Sequence, residues 1–115
     1  MSKIVTLDKL IAELWGSEKR VGLCHGTFDL FHVGHVKYLQ EAKEMCDLLV
    51  VSCTSDRYVK KGIGRPIFSQ EDRMLVLASL DCVDYVVLSD DITCCGIIET
   101  LRPRYYIKGA EYKDI

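Results

Sequence analysis

Two histidines near a predicted helix start carry the clearest chemical signal in the sequence. His32 and His35 stand three positions apart within residues 26–35, which read GTFDLFHVGH. This spacing places two side chains on the same side of a first helical turn. Two imidazole N–H groups held there could stabilise the charge that develops on a phosphate group as it reacts. We therefore predict that His32 and His35 are catalytic residues acting on a phosphate.

The same segment follows a predicted strand and opens a predicted helix, which is the context of an anion site. Backbone N–H groups and the helix dipole both favour phosphate at such a helix start. Glycines allow the backbone to approach a ligand closely. The segment contributes five predicted nucleotide-binding residues: Gly26, Thr27, Phe28, Asp29 and Gly34.

Each of these roles has a structural alternative. The two histidines could be helix caps or partly buried structural residues. Asp29 could cap the loop, and Thr27 could make a turn bond. A metal site is a further option, built from His25, His32, His35 and Cys24. It lacks a fourth ligand at familiar spacing, so we predict that the protein holds no metal through its own residues.

The elements that must position this loop alternate along the chain. Thr6 is a predicted cap for a helix over about 7–15, and Ser69 is a predicted cap for a later one. The other predicted elements are strands over 20–25, 48–51, 83–88 and 105–107, a helix over 34–45, and a short helix through Leu101 capped within Ser89–Asp91. Strands and helices in this order predict an α/β fold. We expect a Rossmann-like, doubly wound parallel sheet in a three-layer α/β/α domain.

In such sheets a ligand binds beyond the carboxyl ends of the strands. The loop over 54–65 follows the second strand and contains Lys60, Lys61 and Arg65 together with glycines. Cations in a flexible loop at this edge suit an anionic ligand, although a solvated loop is the alternative.

Length and composition limit the function classes. The 115 residues fit one domain, with a core over about 20–112. A net charge of −2 gives no basic field for a nucleic-acid backbone, so we predict no nucleic-acid partner. No apolar run approaches the ~20 residues that span a bilayer, and no signal-peptide core follows the N-terminus. We therefore expect a cytoplasmic protein without a membrane partner.

Cysteine usage predicts free thiols. The sequence contains six cysteines and no CxxC spacing. Most lie in apolar runs, where a free cysteine behaves as a small buried hydrophobe. The adjacent pair Cys94 and Cys95 is the expected exception, as a site sensitive to oxidation.

The segment GTFDLFHVGH resembles the signature of the cytidylyltransferase-like nucleotidyltransferases, and the resemblance covers residues 22–112. It implies a nucleoside triphosphate with Mg²⁺ or another divalent cation, and in-line attack by a substrate phosphate on the α-phosphorus. It further implies that Lys60 is catalytic and that Lys61 and Arg73 bind the nucleotide. Lys108 and Gly109 would border the base and ribose. For Arg73 a salt bridge with Glu71 or Asp84 is the alternative.

Two features bear on the subgroup. Residues 81–86 lack the arginine typical of the third strand in glycerol-phosphate and choline-phosphate cytidylyltransferases. The strings Arg65-Pro66-Ile67 and IKGAEY at 107–112 resemble sugar-phosphate adenylyltransferases of the heptose 1-phosphate type. We therefore expect ATP and a sugar 1-phosphate as substrates. CTP with an alcohol phosphate such as glycerol 3-phosphate is one alternative, and a non-catalytic nucleotide-binding module is another.

The resemblance carries two more expectations. Members of the family usually continue to a Ser/Thr-rich motif that grips the β- and γ-phosphates, and nothing like it follows Tyr112. We therefore expect a domain that is truncated at its C-terminus. We also expect a homodimer or a fused partner domain. A dinucleotide oxidoreductase is disfavoured because no GxGxxG follows the first strand.

Overall fold

The predicted elements follow one another in the computed structural model, which describes residues 2–59 and 62–108. Helices are α1 (Leu7–Leu14), α2 (Val33–Glu44), α3 (Gln70–Ala78) and α4 (Cys95–Leu101), with a 3₁₀ turn over Asp56–Tyr58. Strands are β1 (Val21–Gly26), β2 (Leu48–Thr54), β3 (Tyr85–Ser89) and β4 (Tyr105–Tyr106). Thr6 and Ser69 cap α1 and α3 as predicted, because each hydroxyl accepts a backbone N–H from the first helical turn.

The four strands form one parallel sheet in the order β3-β2-β1-β4. After β1 the chain adds β2 and β3 on one side, and it then returns to place β4 on the other side. The strand order therefore reverses between β1 and β4, which is the position where ligands bind in doubly wound sheets. The predicted Rossmann-like fold is confirmed.

Alternate side chains on the strands bury two separate cores, one on each face of the sheet. Leu23 and Val50 pack with Leu10 of α1 and Ile97 of α4. On the other face, strand residues pack with Leu39 of α2 and Leu77 of α3. These strand residues are Cys24, Leu49, Val51 and Val86. Strand residues that are buried on both faces explain the continuous apolar run of β2. The sheet is thus the middle of three layers, as predicted.

The start of α4 differs from the prediction. Ser89 is the last residue of β3, and α4 begins after Cys94, whose side chain makes no capping bond. Asp90 accepts hydrogen bonds from Ser55 and Arg57 at the end of β2. The predicted caps within Ser89–Asp91 are therefore wrong: α4 begins only after Cys94, and the Asp90 carboxylate joins the ends of β2 and β3 instead.

All six cysteines are free thiols in the structure. Cys94 is buried, whereas its neighbour Cys95 is exposed. None of the helices within the described ranges is long and apolar enough to cross a bilayer.

Candidate functional site

The loop between β1 and α2 has an unusual backbone. Phe28 and Leu30 have φ angles of 54° and 51°, a left-handed conformation that few residues other than glycine adopt. Such conformations persist only where surrounding contacts hold them, and they concentrate at functional sites. Asp29, between these two residues, provides such contacts.

Asp29 ties this loop to the segment before α3. Its buried carboxylate accepts hydrogen bonds from Arg65 Nε at 2.8 Å, Ile67 N at 2.7 Å and Phe68 N at 3.0 Å. Burial acts to raise the pKa of Asp29, but the two backbone N–H groups and the Arg65 guanidinium outweigh burial and lower that pKa. The geometry thus favours the loop-capping alternative for Asp29 over the predicted contact with a nucleotide.

His32 and His35 form a reciprocal cap at the start of α2. The Nδ1 atom of His32 accepts the N–H of Gly34 at 3.0 Å, and the Nδ1 atom of His35 accepts the N–H of His32 at 3.0 Å. Both histidines thus make capping contacts, as the structural alternative described. Because each Nδ1 is an acceptor, the proton of each neutral ring lies on Nε2. Capping thus fixes the tautomer in which Nε2 is a hydrogen-bond donor.

Aromatic packing holds the His35 ring in place. The ring stacks on Phe31 with centroids 4.9 Å apart, and it meets Phe28 edge to face at 5.6 Å. The His32 and His35 centroids are 4.0 Å apart. His32 is exposed and His35 is half-buried, so the pair lies at the surface of the loop. The spacing predicted neighbouring rings, and the structure brings them together.

Gly26 is required by a close approach. A Cβ atom at this position would lie 2.9 Å from the Phe28 ring. Such a distance forces the ring to move, and Phe28 in turn packs against His35. The predicted glycine thus protects the packing of a predicted catalytic histidine.

Arg73 lies in the interior, with a side chain that is 1% exposed. Its guanidinium donates to the carbonyls of Thr27 and Thr54 at 2.7 Å each and to the carbonyl of Phe68 at 3.0 Å. Its second terminal nitrogen donates to Asp56 at 2.7 Å. The alternative given for Arg73, a salt bridge with Glu71 or Asp84, named the wrong partner, because Arg73 pairs with Asp56 while Asp84 pairs with Lys43. Arg73 joins the ends of β1 and β2 to the start of α3.

A second ionic link lies at this edge, at positions that the sequence analysis singled out without predicting the partners. Arg57 contacts Asp90 through two nitrogens at 2.9 Å and 2.7 Å, and Ser55 Oγ donates to the same carboxylate at 2.7 Å. These residues directly follow β2 and β3, where polar residues were expected. Partner choice depends on the conformation of two irregular loops, which no sequence spacing encodes.

The end of β4 completes the described edge. Lys108 is exposed, with its Nζ atom 5.6 Å from the centre of the Tyr106 ring. Tyr38 of α2 donates a hydrogen bond to the carbonyl of Ile107, so α2 and the end of β4 are in contact. The predicted residues Lys60, Lys61 and Gly109 lie outside the described residues.

The described ranges contain no group of three or more His, Cys, Asp or Glu side chains that could hold a metal ion. The carboxylates at the loop, Asp29 and Asp56, are already bound by Arg65 and Arg73. They therefore do not form a pre-built pair for a divalent cation.

The sheet order and the paired histidines beyond β1 define the class of protein: a Rossmann-like nucleotidyltransferase domain. A family model described as "Cytidylyltransferase-like" matches residues 23–115. The chain belongs to the cytidylyltransferase-like family, which confirms the enzyme class predicted from the sequence.

Two relatives are similar to this chain over almost its whole length. The chain is 48% identical over 116 residues to the bifunctional protein HldE of Geobacter sulfurreducens, an alignment that covers 96% of this chain and 24% of that protein. It is 46% identical over 112 residues to the bifunctional protein HldE of Helicobacter pylori, with the same coverage of 96% and 24%. The chain thus spans about a quarter of the length of these relatives.

A solved structure is also similar. It is the lipopolysaccharide core biosynthesis protein of Thermoplasma volcanium, with a TM-score of 0.70 and 27% identity. The match covers 76% of this chain and 72% of that one.

Proposed function

We propose that this domain transfers AMP from ATP to a sugar 1-phosphate and releases pyrophosphate. The observation that carries the proposal is the reciprocal histidine cap, which fixes a donor on Nε2 of His32 and of His35 at a helix start. Similarity to the bifunctional HldE proteins and the absence of the third-strand arginine support ATP and a sugar phosphate over CTP and an alcohol phosphate.

In the proposed reaction, an oxygen of the acceptor phosphate attacks the α-phosphorus of ATP. The new P–O bond forms as the bond between the α-phosphorus and the bridging oxygen breaks, and that oxygen leaves with pyrophosphate. Charge builds on oxygens around the α-phosphorus in the transition state. The two Nε2–H groups of His32 and His35 donate to these oxygens, and because the cap has already oriented them, little reorganisation is needed.

Other predicted residues complete the proposal. Lys60 and Lys61 neutralise the triphosphate, while Lys108 and Gly109 border the base and ribose. Gly26, Thr27, Phe28 and Gly34 form the loop that surrounds the phosphates. Asp29 binds this loop to the segment before α3, and Arg73 binds it to the end of β2. Mg²⁺ is expected to arrive with the triphosphate, whose oxygens are its natural ligands.

Because the chain spans about a quarter of its HldE relatives, a fused partner domain is also part of the proposal. We assign the proposed nucleotidyl transfer to residues 1–115 and not to that partner domain.

A pyrophosphate-release assay tests the proposal. ATP and CTP are each combined with hexose and heptose 1-phosphates and with glycerol 3-phosphate. We expect turnover with ATP and a sugar 1-phosphate. Turnover only with CTP and glycerol 3-phosphate would overturn the substrate assignment and leave the reaction class intact. Nucleotide binding without any turnover would identify a non-catalytic binding module.

The histidines are tested by single alanine variants. We expect His32→Ala and His35→Ala to reduce kcat by about 100- to 1000-fold, the usual effect of losing one oriented donor to a transition state. ATP affinity, measured by calorimetry, should change far less. Lys37→Ala, on the exposed side of α2, is the matched control and should retain wild-type turnover. A similar loss in the control would show that the helix, rather than the imidazoles, is responsible.

A further inference from the structure

A row of uncharged polar side chains lies at the carboxyl edge of the sheet on the face of α1 and α4. Leu23, Val50 and Val87 belong to the apolar core of that face. Side chains two positions further along a strand point to the same face. The row therefore consists of His25 on β1, Ser52 and Thr54 on β2, and Ser89 on β3.

Hydrogen bonds and burial show that this row is organised but incompletely satisfied. His25 Nδ1 lies 2.7 Å from Ser52 Oγ, and His25 Nε2 lies 3.5 Å from Thr54 Oγ1. Ser89 is 2% exposed, and its hydroxyl has no hydrogen-bond partner among the residues that the structure describes. Buried polar groups are nearly always paired, so an orphan hydroxyl calls for an explanation.

The position of the row separates it from the nucleotide. Nucleotides bind where the strand order reverses, which here is between β1 and β4. The polar row extends the other way, from β1 across β2 to β3. In the proposed transfer a second substrate must approach the α-phosphorus from its own side, and this stretch of the edge lies next to Gly26 and Thr27.

We propose that His25, with Ser52 hydrogen-bonded to it and Ser89 further along the same row, binds hydroxyl groups of the acceptor sugar and so determines which acceptor is used. The assignment rests on the proposed function and names the acceptor side of that site. Hydroxyls and a neutral imidazole both donate and accept hydrogen bonds, which suits a polyol better than a second phosphate. Burial lowers the pKa of His25, which keeps its ring neutral at physiological pH.

The test combines protein variants with substrate analogues. His25→Phe removes both ring nitrogens at similar size, and His25→Asn restores one donor and one acceptor. Each is assayed with hexose and heptose 1-phosphates and with their monodeoxy analogues. For at least one analogue, the wild type should lose about tenfold in kcat/KM, roughly one hydrogen bond. His25→Phe should show the same loss with the parent sugar and little further loss with that analogue.

The KM for ATP should remain within about twofold, and His25→Asn should recover part of the discrimination. Equal losses with every parent and analogue, or unchanged discrimination, would overturn the proposal and reduce His25 to a structural residue. Ser89→Ala provides an independent check because it removes an unpaired hydroxyl: the same analogue discrimination should weaken while thermal stability is retained.

A calorimetric titration of the same sugar phosphates, with a non-hydrolysable ATP analogue present, separates this inference from the proposed function. Turnover with normal discrimination in His25→Phe would refute the inference alone. Absent turnover would refute the function, and the titration would still show whether His25 reads the sugar hydroxyls. Absent binding of every sugar phosphate would refute both.

Discussion

Arg73 is a charged residue whose observed contacts are with the protein's own loops. Its guanidinium is buried and binds the carbonyls of Thr27, Thr54 and Phe68 as well as the Asp56 carboxylate. A planar guanidinium with several fixed donors is suited to join the ends of β1 and β2 to the segment before α3. Sequence reasoning placed Arg73 at the site, and the geometry makes it a positioning residue for the loop that carries the histidines.

The first prediction at the residue scale concerns this guanidinium. Arg73→Met leaves three carbonyls and the half-exposed Asp56 carboxylate without their donor. A buried acceptor that is left unsatisfied typically costs about 1–3 kcal/mol. Urea unfolding of the variant should show a loss of this size. Arg57→Lys, in an exposed pair with Asp90, is the control and should lose less than about 1 kcal/mol. Comparable losses in both variants would contradict the role assigned to Arg73.

At the scale of elements, the start of α2 depends on the strand before it. Gly26 ends β1, Phe28 adopts a left-handed backbone, and its ring packs against His35. His35 in turn caps α2 through the N–H of His32. The strand end, the loop and the helix start thus form one connected unit, and a change at Gly26 should reach the histidine.

Two glycine substitutions test this connection. A Cβ at position 26 would lie 2.9 Å from the Phe28 ring, whereas a Cβ at Gly96 in α4 would meet nothing within 4 Å. We expect Gly26→Ala to destabilise by about 1–3 kcal/mol through overpacking, and to lower kcat as His35 moves. Gly96→Ala should stabilise by up to about 1 kcal/mol, since alanine is the better helix former. Thermal melts and the pyrophosphate assay would measure both. Full turnover in Gly26→Ala would argue against the connection.

For the whole molecule, the sequence predicts the helices, strands and layers better than it predicts the side-chain pairs between distant loops. Strands with continuous apolar runs and caps such as Thr6 and Ser69 depend on neighbouring residues, so their patterns are local and readable. The partners of Asp29, Arg73 and Asp90 lie 36, 17 and 33 positions away, in the segment between β2 and α3. Their pairing depends on the final conformation of those loops. For the same reason the caps expected within Ser89–Asp91 were wrong.

The long-range contacts of Asp29 make the stability of the whole domain depend on pH. The pKa of Asp29 is lowered in the folded protein: burial opposes the shift, but the N–H groups of Ile67 and Phe68 and the Arg65 guanidinium outweigh it. A carboxyl group whose pKa falls on folding stabilises fully above its unfolded pKa of about 4, and this contribution disappears as the pH falls through the lower folded value.

We expect the stability difference between wild type and Asp29→Asn to be constant near neutrality and to shrink below about pH 4. Urea midpoints measured from pH 7 to pH 2.5 would show it. Arg65→Gln removes one of the groups that lower this pKa, so it should retain part of the wild-type acid dependence. A wild-type and Asp29→Asn difference that stays the same down to pH 2.5 would mean that the carboxylate does not tie the loop between β1 and α2 to the start of α3 through its charge.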